Sequence, residues 1–269
     1  TGLAPLGIPL KDKRVDGIFN GTEELDIKIE NYPLSHGTYG IPEFGTRFVR
    51  QMLDDIRPSY FSDLIRISGL SHGTDVWINN AQNVIRSGEA AIQEVICTRD
   101  DIMNGLIAKG LPAKNAFKIM ESVRKGYGIT DEEAKIMEEH QVPKWYIESC
   151  QKIGYMFPKA HAVAYVIMSY RIAYYKVYHP LAFYAAFFTI KVADFNSDVI
   201  LAGKDRIWAR IKEITEKGKS TTQKEEDELT VLEVAFEMLA RGFGFSGVNL
   251  IESEALRFMV KDGKVMLPY

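Results

Sequence analysis

The chain has 269 residues, 46% of them hydrophobic and 26% charged, with 33 Lys and Arg against 36 Asp and Glu for a formal net charge of −3. That length supports one large domain or two small ones, and the composition is that of an ordinary globular protein. No apolar run reaches membrane-spanning length, no signal-peptide pattern opens the chain, and two cysteines without a C-x-x-C pair exclude a disulfide framework and a zinc site. A cytoplasmic protein with no membrane partner is expected. Thr rather than Met in first place suggests a piece of a longer chain.

The small net charge hides segregation. Lys109, Lys114, Lys118, Arg124 and Lys125 stand against Glu121 alone, while acids gather at 131–139 and 225–237. Such unevenness builds a local positive groove on a slightly acidic protein.

Residues 1–44 are rich in Gly and Pro and read as irregular, with one helix around Asp12–Asn20. Thr46 caps a helix to about Asp55, with Phe48, Val49, Met52 and Leu53 as its apolar stripe. Pro58 opens the next, Ser59 to Ser68, after which Ile67 to Thr74 reads as a polar, glycine-bearing loop. A helix from Val76 to Arg86 and another from about Arg99 to Lys109 follow. Asp100-Asp101 reads as a pair of first-turn acids rather than a metal clamp, because adjacent helical residues point about 100° apart.

Pro112 opens a helix to about Lys125, expected to bury Ala113, Ala116, Phe117 and Met120. Lys114, Lys118, Ser122 and Lys125 share the other side, a stripe suited to phosphates or equally a solvated face. Thr130-x-x-Glu133 is a capping box opening an acidic helix, and Pro143 opens another through Ile153.

Pro158 then starts a helix of roughly twenty residues, about 30 Å long, to Tyr178. It carries no acid, only Lys159, Arg171 and Lys176 as charges, so it points to an anionic partner. His161, Tyr165, Ser169, Ile172 and Lys176 fall on one face. Its tyrosines read either as core residues with hydroxyls satisfied at the edge or as faces for a base. His161 sits beside Lys159 in the first turns, where free amides and the helix dipole favour an anion.

An aromatic helix to about Lys191, an amphipathic one over Asn196–Lys217 and a third over Glu228–Arg241 complete the helical part. Asp262-Gly263 between two apolar runs signals a β-hairpin. The fold class is mainly α with a small C-terminal β-hairpin. Neither a Walker loop nor H-E-x-x-H or Asp-x-Asp occurs. Stacking and electrostatics remain, the tools of a part that binds a nucleotide rather than breaking its bonds.

Four stretches carry a resemblance: Gly40-Ile41-Pro42-Glu43-Phe44-Gly45-Thr46, Ile67-Ser68-Gly69-Leu70-Ser71-His72-Gly73-Thr74-Asp75-Val76-Trp77, Lys118-Ile119-Met120-Glu121-Ser122-Val123-Arg124-Lys125-Gly126 and Tyr155-Met156-Phe157-Pro158-Lys159-Ala160-His161-Ala162. In this order they resemble the fingers of the PolC-type alpha subunit of bacterial DNA polymerase III. The resemblance implies a multi-helix fingers domain, with residues 1–44 an irregular connection from a missing palm, 45–192 the nucleotide-binding core, and 193–269 outer helices and the start of the next domain. It implies an incoming dNTP whose triphosphate meets Lys118, Arg124, Lys125 and Lys159. His161, Tyr165, Ser71 and His72 would border the nascent base pair, with Lys114 and Arg171 as further basic candidates. Primer-template DNA, the rest of the polymerase chain and the replisome are the implied partners. Mg2+ would be held by the palm, so this chain holds no catalytic residue or metal ligand and is inactive alone. A free-standing helical nucleic-acid-binding module, or a scaffold whose aromatic helix is only core, is the alternative.

Overall fold

Local caps set where most helices begin, and the computed structural model describes residues 2–269. The α-helices are α1 (Lys13–Gly17), α2 (Arg47–Ile56), α3 (Phe61–His72), α4 (Gln82–Arg86), α5 (Arg99–Ala108), α6 (Ala113–Arg124) and α7 (Asp131–Glu139). They continue as α8 (Lys144–Lys152), α9 (Lys159–Tyr178), α10 (Pro180–Ile190), α11 (Ser197–Ile200), α12 (Lys204–Glu216) and α13 (Gln223–Ala240). Three short strands close the chain: β1 (Gly244–Ser246), β2 (Met259–Lys261) and β3 (Lys264–Met266). The mainly helical class with a small C-terminal β element is what the sequence predicts. Contacts group residues 46–168 into one compact unit and residues up to 45 together with 169–269 into another. Helix α9 contributes its first half to the former and its second half to the latter.

In the unit of residues 46–168, Thr46 accepts from the Val49 amide at 3.3 Å to start α2. Thr130 and Glu133 form the expected capping box on α7. Four expectations need correction. Phe48 is exposed, and α2 buries Val49, Met52 and Leu53 without it. The loop expected over 67–74 is instead the end of α3, which continues to His72 with Ser68, Gly69 and Leu70 buried. Gly69 is a packing residue rather than a break: a Cβ there would stand 2.6 Å from the Cys97 carbonyl oxygen. Residues 78–80 depart from helical geometry, with Asn79 at φ 58°. Buried Asn80 donates to the Asp75 carbonyl at 2.8 Å and accepts from the Ser149 hydroxyl at 2.6 Å, so its side chain replaces backbone bonds. In α6 the buried face is Ala116, Ile119, Met120 and Val123, leaving Ala113 and Phe117 exposed. Helix α5 packs along that face.

The other unit is organised around a buried charge cluster. Lys176, fully buried, donates to the carbonyls of Gly37 at 2.7 Å and Tyr39 at 2.6 Å, and sits 2.8 Å from Glu237 Oε1. Tyr184 donates to the same carboxylate at 2.7 Å. Arg241 donates to the Lys176 carbonyl at 3.0 Å and to the Tyr184 hydroxyl at 3.1 Å. The anion that Lys176 requires is therefore internal, which corrects the reading of this lysine as facing an outside partner. Ser169 and Lys176 are buried while His161 and Tyr165 are exposed, so the single face predicted for α9 changes environment midway. Tyr170 donates to Asp16 Oδ1 at 2.6 Å, and Tyr175 to the Leu3 carbonyl at 3.1 Å. Tyr170 is a core residue and Tyr175 a half-buried one, both satisfied at their hydroxyls.

The span expected as one helix over 196–217 breaks into α11 and α12 at Gly203, whose φ is 99°. The hairpin forms as predicted, β2 antiparallel to β3, with Asp262 and Gly263 at φ 49° and 73° as a primed turn requires. Strand β1 adds in parallel to the other edge of β3, where the sequence predicts no strand. Phe188, Phe195, Phe245 and Phe258 pack there, with the Phe195 and Phe258 centroids 4.8 Å apart.

Removing one partner of a buried ion pair leaves the other uncompensated. Lys176→Ala is therefore expected to destabilise the chain by about 3–5 kcal/mol, and Lys176→Met with Glu237→Leu to recover most of that loss. Urea unfolding checks both; a loss below about 1 kcal/mol in the single variant would show that the pair does not organise this core.

Candidate functional site

The first half of α9 presents one solvent-facing stripe. Ala160, His161, Ala164, Tyr165 and Met168 are exposed at helical spacing, while Ala162 and Val166 are buried beneath them. Phe157, just before the helix, is the hub of a ring cluster at this stripe. Its centroid lies 4.7 Å from His72, 6.0 Å from His161 and 6.2 Å from Tyr165. His72 and Tyr165 stack at 6.3 Å with planes 17° apart.

The end of α3 supplies His72 in a fixed pose. Its Nδ1 lies 3.1 Å from the Ser68 carbonyl. Ser71 donates to the same carbonyl at 3.0 Å and stands 2.9 Å from Nδ1. Beyond the helix, the Thr74 amide donates to the Tyr155 carbonyl and the Gly154 amide to the Thr74 carbonyl, both at 2.9 Å. This isolated bridge joins the end of α3 to the segment entering α9.

The basic end of α6 meets the same segment. Gly126 has φ 77°, and a Cβ on it would lie 2.5 Å from the Gly154 carbonyl oxygen. Arg124 and Lys125, immediately before it, share Glu121: Arg124 donates to Oε2 at 2.8 Å and Lys125 Nζ lies 3.5 Å away. Hydrogen bonding from Arg124 foremost, opposed by desolvation and assisted by Lys125, pulls the Glu121 carboxyl down to about 2. Further back along α6, Lys118 pairs with Glu133 at 3.3 Å, and exposed Lys114 has no ion pair among the described residues.

At the start of α9, Lys159 Nζ lies 3.6 Å from Asp101, and the Lys159 amide donates to Asp100 Oδ2 at 3.0 Å. The anion favoured by this helix start is thus supplied by the protein itself. Arg171 belongs to the other unit, where its Nε is buried without a hydrogen-bond partner among the described residues.

Ser71, His72, Lys159, His161 and Tyr165 therefore gather around Phe157. Arg124 and Lys125 adjoin the approach to α9, and Lys118 and Lys114 recede along α6. Sequence reasoning missed the hub itself and the use of Asp100. Phe157 reads as an ordinary residue before a helix-opening Pro, and Asp100 as an ordinary first-turn acid. Among the described residues no group of three His, Cys, Asp or Glu side chains is placed to hold a metal ion, and no helix is long and apolar enough to cross a membrane.

Residues 1–143, over half the chain, match the family described as "Bacterial DNA polymerase III alpha subunit finger domain". The chain belongs to this finger-domain family. Similar proteins include the DNA polymerase III PolC-type of Caldanaerobacter subterraneus subsp. tengcongensis, 56% identical over 268 residues that cover all of this chain and 19% of that protein. The proteins of the same name from Bacillus subtilis and Clostridium perfringens are 52% and 50% identical over 268 residues, again covering 100% of this chain and 19% and 18% of theirs. The chain thus spans about a fifth of the length of these relatives. The finger-domain match ends before α8, so it includes His72 of the ring cluster, while Phe157, His161 and Tyr165 lie beyond it but within the stretch shared with the PolC-type relatives.

Glu121 yields a pH prediction. A carboxyl held below its ordinary 4.5 favours the folded state above that value, and loses this contribution as pH falls toward about 2. Carboxylate-resolved NMR is expected to place the Glu121 midpoint near 2, and Arg124→Ala to return it toward 4.5. An unchanged midpoint in that variant would remove Arg124 as the principal cause.

Proposed function

We propose that this chain is the fingers region of a replicative DNA-directed DNA polymerase, with the exposed stripe of α9 facing the nascent base pair. The observation that carries this reading is the stack of His72, Phe157 and Tyr165 beside an open helical face, adjoined by the basic end of α6. Aromatic faces accept any base, a contact worth about 1–3 kcal/mol per base. The small side chains of Ala160 and Ala164 let a flat partner come close to the helix between His161 and Tyr165.

Arg124, Lys125, Lys118 and Lys159 are assigned to the triphosphate. Each is paired with a carboxylate, which does not disqualify it. Exposed ion pairs are worth only about 0–1 kcal/mol, so a polyanion carrying several charges displaces them at little cost. The paired acids keep the cations extended and oriented before the nucleotide arrives. Lys114, lacking such a partner, is left to the DNA backbone.

Nucleotidyl transfer itself is assigned to Mg2+ and palm carboxylates in the remaining four-fifths of the polymerase. What the chain contributes is placement: stacking on the base, neutralisation of the phosphates and exclusion of water from the pair. The wider partners are primer-template DNA, the other polymerase domains and, in the cytoplasm of a bacterium, the replisome.

The test uses the full-length polymerase in steady-state primer extension. Tyr165→Ala and the double variant Arg124→Ala/Lys125→Ala are each expected to raise the dNTP KM about tenfold, equivalent to about 1.4 kcal/mol, with the melting temperature unchanged. Wild-type KM and kcat in both would overturn the assignment.

A further inference from the structure

The ring cluster hangs on Phe157, yet Phe157 lies outside any helix and needs something to hold it. Two hydrogen bonds from the start of α5, one from its main chain and one from a side chain, do so. The Arg99 amide donates to the Phe157 carbonyl at 3.4 Å, and Asp100 Oδ2 accepts from the Lys159 amide at 3.0 Å. The two bonds run in opposite directions and flank Pro158, which has no amide of its own to offer. Lys159 is the first residue of α9, so its amide is one of the orphan donors of a helix start. A carboxylate placed there satisfies the donor and opposes the positive end of the helix dipole.

Asp101 ties the clasp to the rest of the unit. One of its oxygens accepts from the Thr98 amide at 2.9 Å and the Cys97 amide at 3.2 Å, capping α5. The same oxygen lies 3.8 Å from Arg66 Nη1, and its other oxygen lies 3.6 Å from Lys159 Nζ. The Asp101 carbonyl also accepts from the Tyr146 hydroxyl at 3.3 Å. The acid that faces α9 is thus carried on a helix end that is itself fixed from three directions.

We propose that Asp100 is a positioning residue for nucleotide binding. It holds the Phe157–Lys159 segment, and through Phe157 it sets the places of His72, His161 and Tyr165. The inference rests on the reading of the α9 stripe as the nucleotide face.

The experiment compares Asp100→Ala, Asp100→Asn, Tyr165→Ala and the double variant Asp100→Ala/Tyr165→Ala in the full-length polymerase, following dNTP KM and kcat separately. Asp100→Ala is expected to raise KM about fivefold with kcat changed by less than about twofold. Asp100→Asn keeps an acceptor for the Lys159 amide and is expected to give about a twofold rise, a partial rescue. Because Asp100 acts through the rings, the double variant is expected to be no worse than Tyr165→Ala alone. If Tyr165→Ala raises KM while Asp100→Ala does not, or if the two effects multiply, the positioning role is overturned and the nucleotide face stands. If Tyr165→Ala leaves KM unchanged, the face itself is wrong and this inference falls with it. Should Asp100→Ala fail to fold, Asp100→Asn decides: wild-type KM overturns the proposal.

Discussion

The unit built from the two ends of the chain depends on one buried contact, the Lys176 ammonium against the Glu237 carboxylate. Lys176 pairs with this acid, whereas Arg241 donates to dipoles there, the Lys176 carbonyl and the Tyr184 hydroxyl. The carbonyls of Gly37 and Tyr39 take two ammonium protons. The Lys176 carbonyl, in the last turn of α9 and so without an intrahelical partner, takes one from Arg241. Replacement of such a cluster by apolar residues would cost little; what it supplies is specificity, since its hydrogen bonds tie α9, α10, α13 and the 37–39 loop to one another, although the buried Arg241 Nε has no partner among the described residues. Gly37 makes the loop's approach possible, because a Cβ there would lie 2.6 Å from both the Ile18 carbonyl and the Ile18 side chain.

The same contact explains why α9 has two characters. Its sequence is uniformly apolar and aromatic and lacks acids throughout. A cation on such a helix takes its carboxylate from elsewhere, and the two lysines take theirs from different places: Lys159 from the start of α5, Lys176 from α13. A lack of acids along one helix therefore says nothing about whether the missing anion is a ligand or another part of the chain. For Lys176 burial decides the matter, since no outside anion reaches a fully buried ammonium. Lys159 is half-buried and paired across a longer gap, so its pairing and a role toward phosphate are compatible.

What was legible in the sequence was local. Thr46, Thr130 and the Asp262-Gly263 turn state their structure within four residues, and the long aromatic helix announces itself by Pro158 and by an absence of breakers. The four family-like stretches located the residues now found around Phe157 and at the end of α6. Failures came where a residue's role is set by a distant partner. Gly69 reads as a helix breaker until the Cys97 backbone is seen against it. Asn79 and Asn80 read as tolerable helix residues until the Ser149 hydroxyl, 69 positions from Asn80, is found bonding it. Asp100 reads as a generic first-turn acid, although its partner amide stands 59 positions on. Periodicity averages over such pairings and cannot reveal them.

The joining of the basic end of α6 to the ring cluster illustrates a different kind of constraint. Gly126 passes so close to Gly154 that neither backbone leaves room for a Cβ on Gly126, and the positive φ at Gly126 is one that L side chains rarely adopt. The proximity of Arg124 and Lys125 to the approach of α9 is thus enforced by two backbones in contact rather than by recognition between the charges. Cations carried on long, partly exposed stems tolerate exchange and re-pairing, whereas the backbone contact does not. The placement of positive charge beside the ring cluster is accordingly written in Gly126, a residue that carries no charge at all, more firmly than in the basic residues it positions.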